Sequence, residues 1–403
     1  MKVLIVGANY NNKGAQSMLF ITIDEIRKRF PDSNIYFASS ELIDEKNLTF
    51  RRVYYTELAK SIALGGVKGK ISSIKSVVKD CVKVVVGKKN NLWMTHDLKD
   101  MITTINLIID VSGFNLGKKW SAADHEVFLN NIRLARKYQI PMYLMPQSFG
   151  PFDYEEDKKY LLDEMRELLP YPKVIYARER EGYEMLKSTF GLQNVVPSTD
   201  LVLQNKGIDF RTIYKMNPAL NVPKLPTDNN VAIIPNNQCF KFGNKEKLLA
   251  VYEAIIKTLL DAKKNVYVFR HSGEDLQICK WIKGRFLDNK DVHILENDFN
   301  CFEYDEFIKN FQFVICSRFH GIVHAYRNSV PCIALGWAVK YKELTYNVGQ
   351  SGYSFDITLP DFSVDSVYSA LRNMIENYIQ EGETIKKNVA EIQKDNCFEF
   401  CQI

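Results

Sequence analysis

The sequence predicts an α/β fold, two Rossmann-like domains facing a central cleft. Three observations carry this. Short apolar runs of strand length alternate with segments of helical period along most of the chain, the pattern of parallel βα units. The alternation lapses once, at 204–230, where Pro218, Pro223 and Pro226 stand among Asn and Lys with no clean period. The series on either side are of similar length, so the chain divides into an N-terminal domain at 1–203, a connection at 204–230, a C-terminal domain at 231–380 and a helical tail at 381–403.

The elements follow in order. Residues 2–6 read as a buried strand and 9–14 as a polar loop. Leu19, Ile23, Ile26 and Phe30 then mark one face of a helix. Further strands are predicted at 34–38, 106–110, 142–145 and 174–176, with helices over 122–138 and from about 181 to 190. The second series has strands at 231–234, 266–269, 292–295, 313–316 and 331–335. Its helices cover 245–262, 275–286 and 364–378, before the tail. In such sheets a ligand sits outside the carboxyl ends of the strands, so the loops after strands are where function is sought.

Composition narrows the class. Hydrophobic residues at 46% and charged residues at 25% exclude a disordered chain. The net charge of +5 is mild, and no nucleic-acid partner is expected. The longest apolar runs are strand-sized, too short for a membrane-spanning helix. The first residues turn polar at Asn9, too early for a cleavable signal. The eight cysteines include no Cys-x-x-Cys pair and read as reduced thiols of a cytoplasmic protein.

Several post-strand loops hold candidate ligand groups. Gly7-Ala8-Asn9-Tyr10-Asn11-Asn12-Lys13-Gly14 opens a helix and is either an anion-binding loop or a plain strand–helix turn. Ser112-Gly113 offers donors, and Asp110 orients a hydroxyl or caps its own turn. Gln147 falls in an exposed loop, 145–151. Arg178 follows a buried strand, where a cation needs a partner or a cleft; Arg180 reads as a solvated helix residue. Ser317-Arg318-Phe319-His320-Gly321 is the sharpest signal. An apolar strand ends directly in Arg-x-His-Gly, joining a bidentate grip for carboxylate or phosphate to a proton donor. The alternative is a structural Arg paired with an acid and a His capping its own helix. His324 reads as a supporting histidine. Lys340 follows the next strand, and Arg270 and His271 the equivalent strand earlier, with Glu274 or Asp275 opening the next helix. No Asp-x-Asp follows a strand, and His320 with His324 lacks the Glu of a zinc helix, so no metal is expected.

At these residues the chain resembles the polysaccharide pyruvyl transferase family. The likeness covers most of the length. It rests on Asn12-Lys13-Gly14-Ala15-Gln16, on Arg178 and its following helix, on Ser198-Thr199-Asp200 and above all on Ser317–Gly321, with Lys340 where the family tends to place a basic residue. Departures are the loop at Ser112-Gly113-Phe114, less glycine-rich than is common there, and Trp337 in place of a frequent Tyr. The resemblance implies a GT-B-like fold and transfer of the enolpyruvyl unit of phosphoenolpyruvate onto two hydroxyls of one sugar. The product is a cyclic ketal of surface or capsular polysaccharide, with phosphate released and no cofactor. On that chemistry Arg178, Arg318, Lys340, Arg270 and His271 are expected to hold the donor, with His320 as the acid. Asn9, Asn12, Gly14, Ser112, Gly113 and Gln147 are expected on the acceptor side. The alternatives are a GT-B nucleotide-sugar glycosyltransferase and a non-catalytic sugar-binding relative. The acceptor is expected to be lipid-diphosphate-linked. The segment 60–89, with Lys60, Lys68, Lys70, Lys75, Lys79, Lys83, Lys88 and Lys89 around an apolar stripe, reads either as a helix packed on the first domain or as a peripheral contact with the anionic inner membrane face.

Overall fold

The computed structural model describes residues 1–65, 97–336, 340–359 and 362–401. It contains two parallel sheets. Strands β1 (Lys2–Val6), β2 (Asn34–Ser39), β3 (Arg51–Tyr54), β4 (Leu107–Asp110), β5 (Phe114–Leu116), β6 (Met142–Phe149), β7 (Val174–Ala177) and β8 (Val195–Pro197) form the first. Their order is β3-β2-β1-β4-β6-β7-β8, with β5 beside β6. Strands β9 (Asn230–Ile234), β10 (Asn265–Phe269), β11 (Val292–Leu295), β12 (Phe313–Cys316), β13 (Cys332–Gly336) and β14 (Ser354–Asp356) form the second, in the order β11-β10-β9-β12-β13-β14. The winding reverses between β1 and β4 and again between β9 and β12. Those two switch points are where the crevices of such sheets open. Every residue of β4, β9 and β12 is buried, which accounts for their unbroken apolar runs.

The helix Lys13–Arg29 joins the two halves. Asn12 caps it by accepting from the Gly14 and Ala15 backbone N–H groups. It is buried on nearly all sides because it lies between the domains. Phe20 stacks on Phe302 with centroids 5.3 Å apart. Gln16 Oε1 accepts from the Cys301 N–H at 2.8 Å, and Ser17 Oγ meets His324 Nε2 at 3.1 Å. Lys13 Nζ reaches Asp298 at 3.1 Å. One apolar core consequently runs through both halves, from Val3, Leu19 and Ile109 to Ala232, Phe269 and Ile322. An interface of this kind holds the domains together on that side, unlike a polar hinge.

Several sequence expectations change here. The first part of the connection 204–230 is built onto the first domain, where Thr49 Oγ1 donates to the Thr212 carbonyl at 2.6 Å and Leu48 pairs with Tyr214, while the Asn221 N–H donates to Glu303 of the second domain at 3.0 Å. The tail is not separate from the second domain, since one helix runs Val364–Ile392 through the expected boundary at 380. The residues after it return to the first domain, where Phe400 stacks on Tyr143 at 3.7 Å. Strands β3, β5, β8 and β14 were not legible in the sequence. The basic segment lies mostly outside the described residues, as does Trp337. Lys60 is described: it is buried in the helix Glu57–Leu64, where Nζ donates to the Val127 carbonyl at 2.9 Å and to Asn131 Oδ1 at 3.1 Å and pairs with Glu57. It therefore faces protein and not a membrane. Among the described residues no helix is long and apolar enough to cross a membrane, and Cys239, Cys279, Cys301, Cys316, Cys332 and Cys397 are buried free thiols.

Candidate active site

A cleft of about 480 Å³ opens where the two switch points face each other. Its second-domain wall begins at the end of β12. The turn there is fixed before any charged group appears. The Ser317 carbonyl accepts from Asn236 Nδ2 and from Tyr341 OH, both at 2.9 Å, and Ser317 Oγ lies 2.8 Å from Tyr252 OH. Arg318 then caps the helix Phe319–Arg327, and His320 stands in its first turn.

Arg318 reaches the cleft with its fork already engaged. Nε donates to Asp275 Oδ2 at 2.8 Å, and Nη2 donates to Asp275 Oδ1 and Glu274 Oε1, both at 2.5 Å. Burial opposes its charge, but Asp275 and Glu274 raise its affinity for the proton above the ordinary value. The bidentate grip expected for a ligand is occupied by protein, and a ligand is left with the Nη1 edge. Arg178 is still more completely engaged, at 4% exposure. Nε donates to Glu179 at 3.1 Å, Nη1 to Asp200 Oδ2 at 2.8 Å, and Nη2 to the Gly113 carbonyl at 3.2 Å and Ser148 Oγ at 2.6 Å. Its plane lies over Phe319, 4.1 Å from the centroid. The reason is the pair of carboxylates, Glu179 and Asp200, that the fold brings beside it. Arg178 lines the cleft, but its guanidinium nitrogens are bonded to protein.

His320 and Lys340 complete this wall. Burial pushes the His320 imidazole down to about 3; Asp200 opposes that shift, while Arg178, His324 and Lys340 add to it. His320 is therefore neutral at pH 7. Asp200 Oδ2 stands 3.6 Å from Nε2, which is buried without a hydrogen-bond partner. Lys340 opens the helix Lys340–Asn347 and holds Nζ 5.0 Å from the Phe114 centroid and 5.2 Å from that of Phe319. Burial first, and then Arg178, brings its ammonium down to about 7. His271 also lines the cleft. It is 2% exposed, neither ring nitrogen has a partner, and burial and the nearby Lys13 push it well below the usual histidine range.

The first-domain wall is made of the loops after β1 and β4. Asn9, Asn12, Ser112 and Gly113 all line the cleft. Asn9 Oδ1 accepts from the Asn11 and Asn12 N–H groups at 2.9 Å, which shapes the loop. Asp110 is fully buried and caps its turn through the Ser112 N–H at 2.9 Å. Gly14 is where the domains approach most closely: a Cβ there would lie 2.1 Å from His320 Cγ. Only glycine lets the helix start meet the imidazole.

Two expected residues are elsewhere. Gln147 is fully buried within β6, and Arg270 turns away toward the Glu296 and Asn297 carbonyls and Asp298. The residues that line the cleft without having been singled out from the sequence include Asn236, Gln238, Lys119, Trp120 and Tyr341. Trp120 packs edge-on to Phe114 at 5.6 Å. An isolated Lys-Trp in a loop carries no pattern that marks it. Tyr341 lies beside Lys340, but its role in holding Ser317 depends on a contact 24 residues away.

Known structures and families agree with this architecture. The UDP-GlcNAc 2-epimerase of Methanocaldococcus jannaschii is similar over 98% of this chain and 100% of its own, with a TM-score of 0.54 at 13% identity. S. aureus MnaA, solved with UDP, covers 98% and 93% with a TM-score of 0.57 at 9% identity. An S. aureus TarM mutant solved with fondaparinux, α-GlcNAc-glycerol and UDP covers 99% and 98% with a TM-score of 0.56 at 11% identity. At these identities the likeness shows the fold: two Rossmann-like domains in the GT-B-like arrangement. No curated protein matches the sequence. The polysaccharide pyruvyl transferase model matches residues 12–338, from the cap of the first helix through the His320 loop, and the chain belongs to the polysaccharide pyruvyl transferase family.

Proposed function

We propose that the protein transfers the enolpyruvyl unit of phosphoenolpyruvate to two hydroxyls of a sugar in this cleft. The observation that carries the reading is the meeting of His320, Lys340 and the Arg318 edge on one wall of a cleft whose other wall is polar and uncharged at Asn9, Asn12 and Ser112. The donor brings a carboxylate and a phosphate, and the cationic wall suits both. Family membership supports pyruvyl transfer.

The steps balance as follows. An acid protonates C3 of the enol, and C2 becomes electrophilic. One sugar hydroxyl adds at C2 and gives up its proton. A second hydroxyl displaces phosphate and closes the ketal, its proton leaving with the phosphate. Bound anions next to His320 raise its proton affinity, so the donor itself charges the acid. A positioned acid is worth about 10²–10⁴-fold, and cations at the leaving phosphate a comparable factor. Lys340, within reach of about 7, supplies a charge that sharpens when the dianionic donor arrives. The donor's own phosphate supplies the leaving group.

The test is incubation with phosphoenolpyruvate and a panel of lipid-linked and nucleotide-linked sugars. A mass gain of pyruvate less one water, with one phosphate released per acceptor, is expected. Two of the fold relatives carry UDP, which favours a nucleotide-sugar glycosyltransferase as the second reading. Release of a nucleoside diphosphate with phosphoenolpyruvate untouched would select it.

A further inference from the structure

Behind His320, away from the cleft, lies a carboxylate that the proposed chemistry does not touch. Asp200 ends the loop after β8 and is 2% exposed. Its Oδ1 accepts from the Val202 N–H at 2.9 Å, capping the helix Leu201–Gln204. Its Oδ2 accepts from Arg178 Nη1 at 2.8 Å and faces His320 Nε2 at 3.6 Å. Both oxygens are thus pinned, and the carboxylate cannot turn away. Arg178 is pinned in turn by Glu179, Ser148 and the Gly113 carbonyl.

The consequence concerns the tautomer. An ionised carboxylate only accepts, so the imidazole nitrogen facing it is favoured as the N–H. Nε2 is buried without a partner, so the nitrogen left to meet a ligand is Nδ1, on the edge of the ring that packs against Gly14. Burial would raise the Asp200 carboxyl, but the Arg178 guanidinium and the Val202 N–H hold it below its ordinary range, so it stays ionised. Around the ring it stands against Arg178 from the end of β7, Lys340 from the helix Lys340–Asn347, and His324 one turn along.

We propose that Asp200, held by Arg178, is the positioning residue of His320: it fixes the proton on Nε2, stabilises the imidazolium and makes Nδ1 the atom that gives a proton to the donor and takes one back from a sugar hydroxyl. This rests on the reading of the cleft as a pyruvyl transfer site. Asp200 touches no substrate. Its effect passes entirely through the imidazole, as an orienting carboxylate acts in a hydrolase triad.

The experiment uses the full chain labelled with ¹⁵N-histidine, His320 being assigned by His320→Gln. In wild type the Nε2–H tautomer is expected. In Asp200→Asn the tautomer population shifts toward Nδ1–H, kcat falls by about 10²–10⁴-fold, and the acid limb of the kcat profile moves. The affinity for phosphoenolpyruvate, measured by calorimetry, stays within about threefold. Asp200→Glu restores part of kcat and the Nε2–H signal. An Nδ1–H tautomer in the wild type overturns the proposal without need of any variant, and so does an unchanged tautomer and pH profile in a folded Asp200→Asn. A wild type that turns over no sugar with phosphoenolpyruvate refutes the pyruvyl reading instead, while the tautomer still decides the role of Asp200.

Discussion

Gly14→Ala is a single methyl placed at the seam of the two domains. The new Cβ would lie 2.1 Å from His320 Cγ, 2.3 Å from Nδ1 and 2.4 Å from Cβ, against an ordinary contact of 3.4–4 Å. One side must move by more than 1 Å. The helix Lys13–Arg29 cannot retreat cheaply, because Phe20, Gln16 and Ser17 bind it to the second domain. The imidazole is the softer partner and is displaced. Two terms act on stability. Alanine gains about 1 kcal/mol over glycine inside a helix, and overpacking costs about 1–3 kcal/mol. The net loss is at most about 2 kcal/mol by these figures, and the fold survives. Activity is more sensitive, since a displacement of about 1 Å at a reacting group costs on the order of 10²-fold. Calorimetric Tm and kcat, measured together, separate the two effects. Gly284→Ala, where a methyl meets nothing within 4 Å, is the control. A Gly14→Ala protein with wild-type kcat would refute the placement of His320 against this helix.

Three further outcomes follow from the same geometry. Asp275→Asn leaves the Arg318 fork without its buried counter-charge. A loss of about 3–5 kcal/mol in denaturant unfolding is expected, and a change below about 1 kcal/mol would mean the pair is solvent-relieved. Asp305 is held down to about 2, burial working against it while His324, Arg327 and Asn328 lower it. Its folded value lies below the unfolded one, so its contribution of about 2 kcal/mol is present above pH 4 and lost as pH falls toward 2. Asp305→Asn should flatten that limb of the unfolding profile, and an unaltered limb would contradict the assignment. Lys340, with its ammonium near 7, should make phosphoenolpyruvate affinity fall as pH rises through and beyond that value; calorimetry from pH 6 to 9 on wild type and Lys340→Met checks this, the variant losing the dependence.

The fold was legible where the chain repeats itself and illegible where a contact depends on distance. The central strands show as unbroken apolar runs because both faces are covered. β6 was cut short at Met145 because Pro146 has no N–H to give a ladder. The structure keeps the strand going to Phe149 by an irregularity between Leu144 and Gln147 in its pairing with β7. That extension buries Gln147, which the shorter strand had left in a loop. The long last helix was read as two pieces. It passes through Gly382, whose missing side chain makes room for the Ser329 carbonyl, 3.0 Å from where a Cβ would stand.

At the site the same rule holds. Arg318 and His320 were conspicuous because they follow an apolar strand directly. The engagement of Arg318 by Glu274 and Asp275, 44 and 43 residues away, was not visible. Nor was the Asp200–Arg178 pair that stands behind the imidazole. A sequence displays the types of charged groups at strand ends, while their neutralisation is set by which loops the sheet order brings together. Both arginines were expected to hold the donor, with pairing to protein acids as the alternative, and the structure shows them bound chiefly to protein.

The most direct test of the account is the reaction run in D₂O with phosphoenolpyruvate and a competent sugar, read by NMR of the product methyl. Protonation at C3 inside the cleft predicts one solvent deuterium in each transferred methyl group, with the signal lost in His320→Ala. A ketal whose methyl carries no deuterium, or a product formed while phosphoenolpyruvate is left intact, would contradict it.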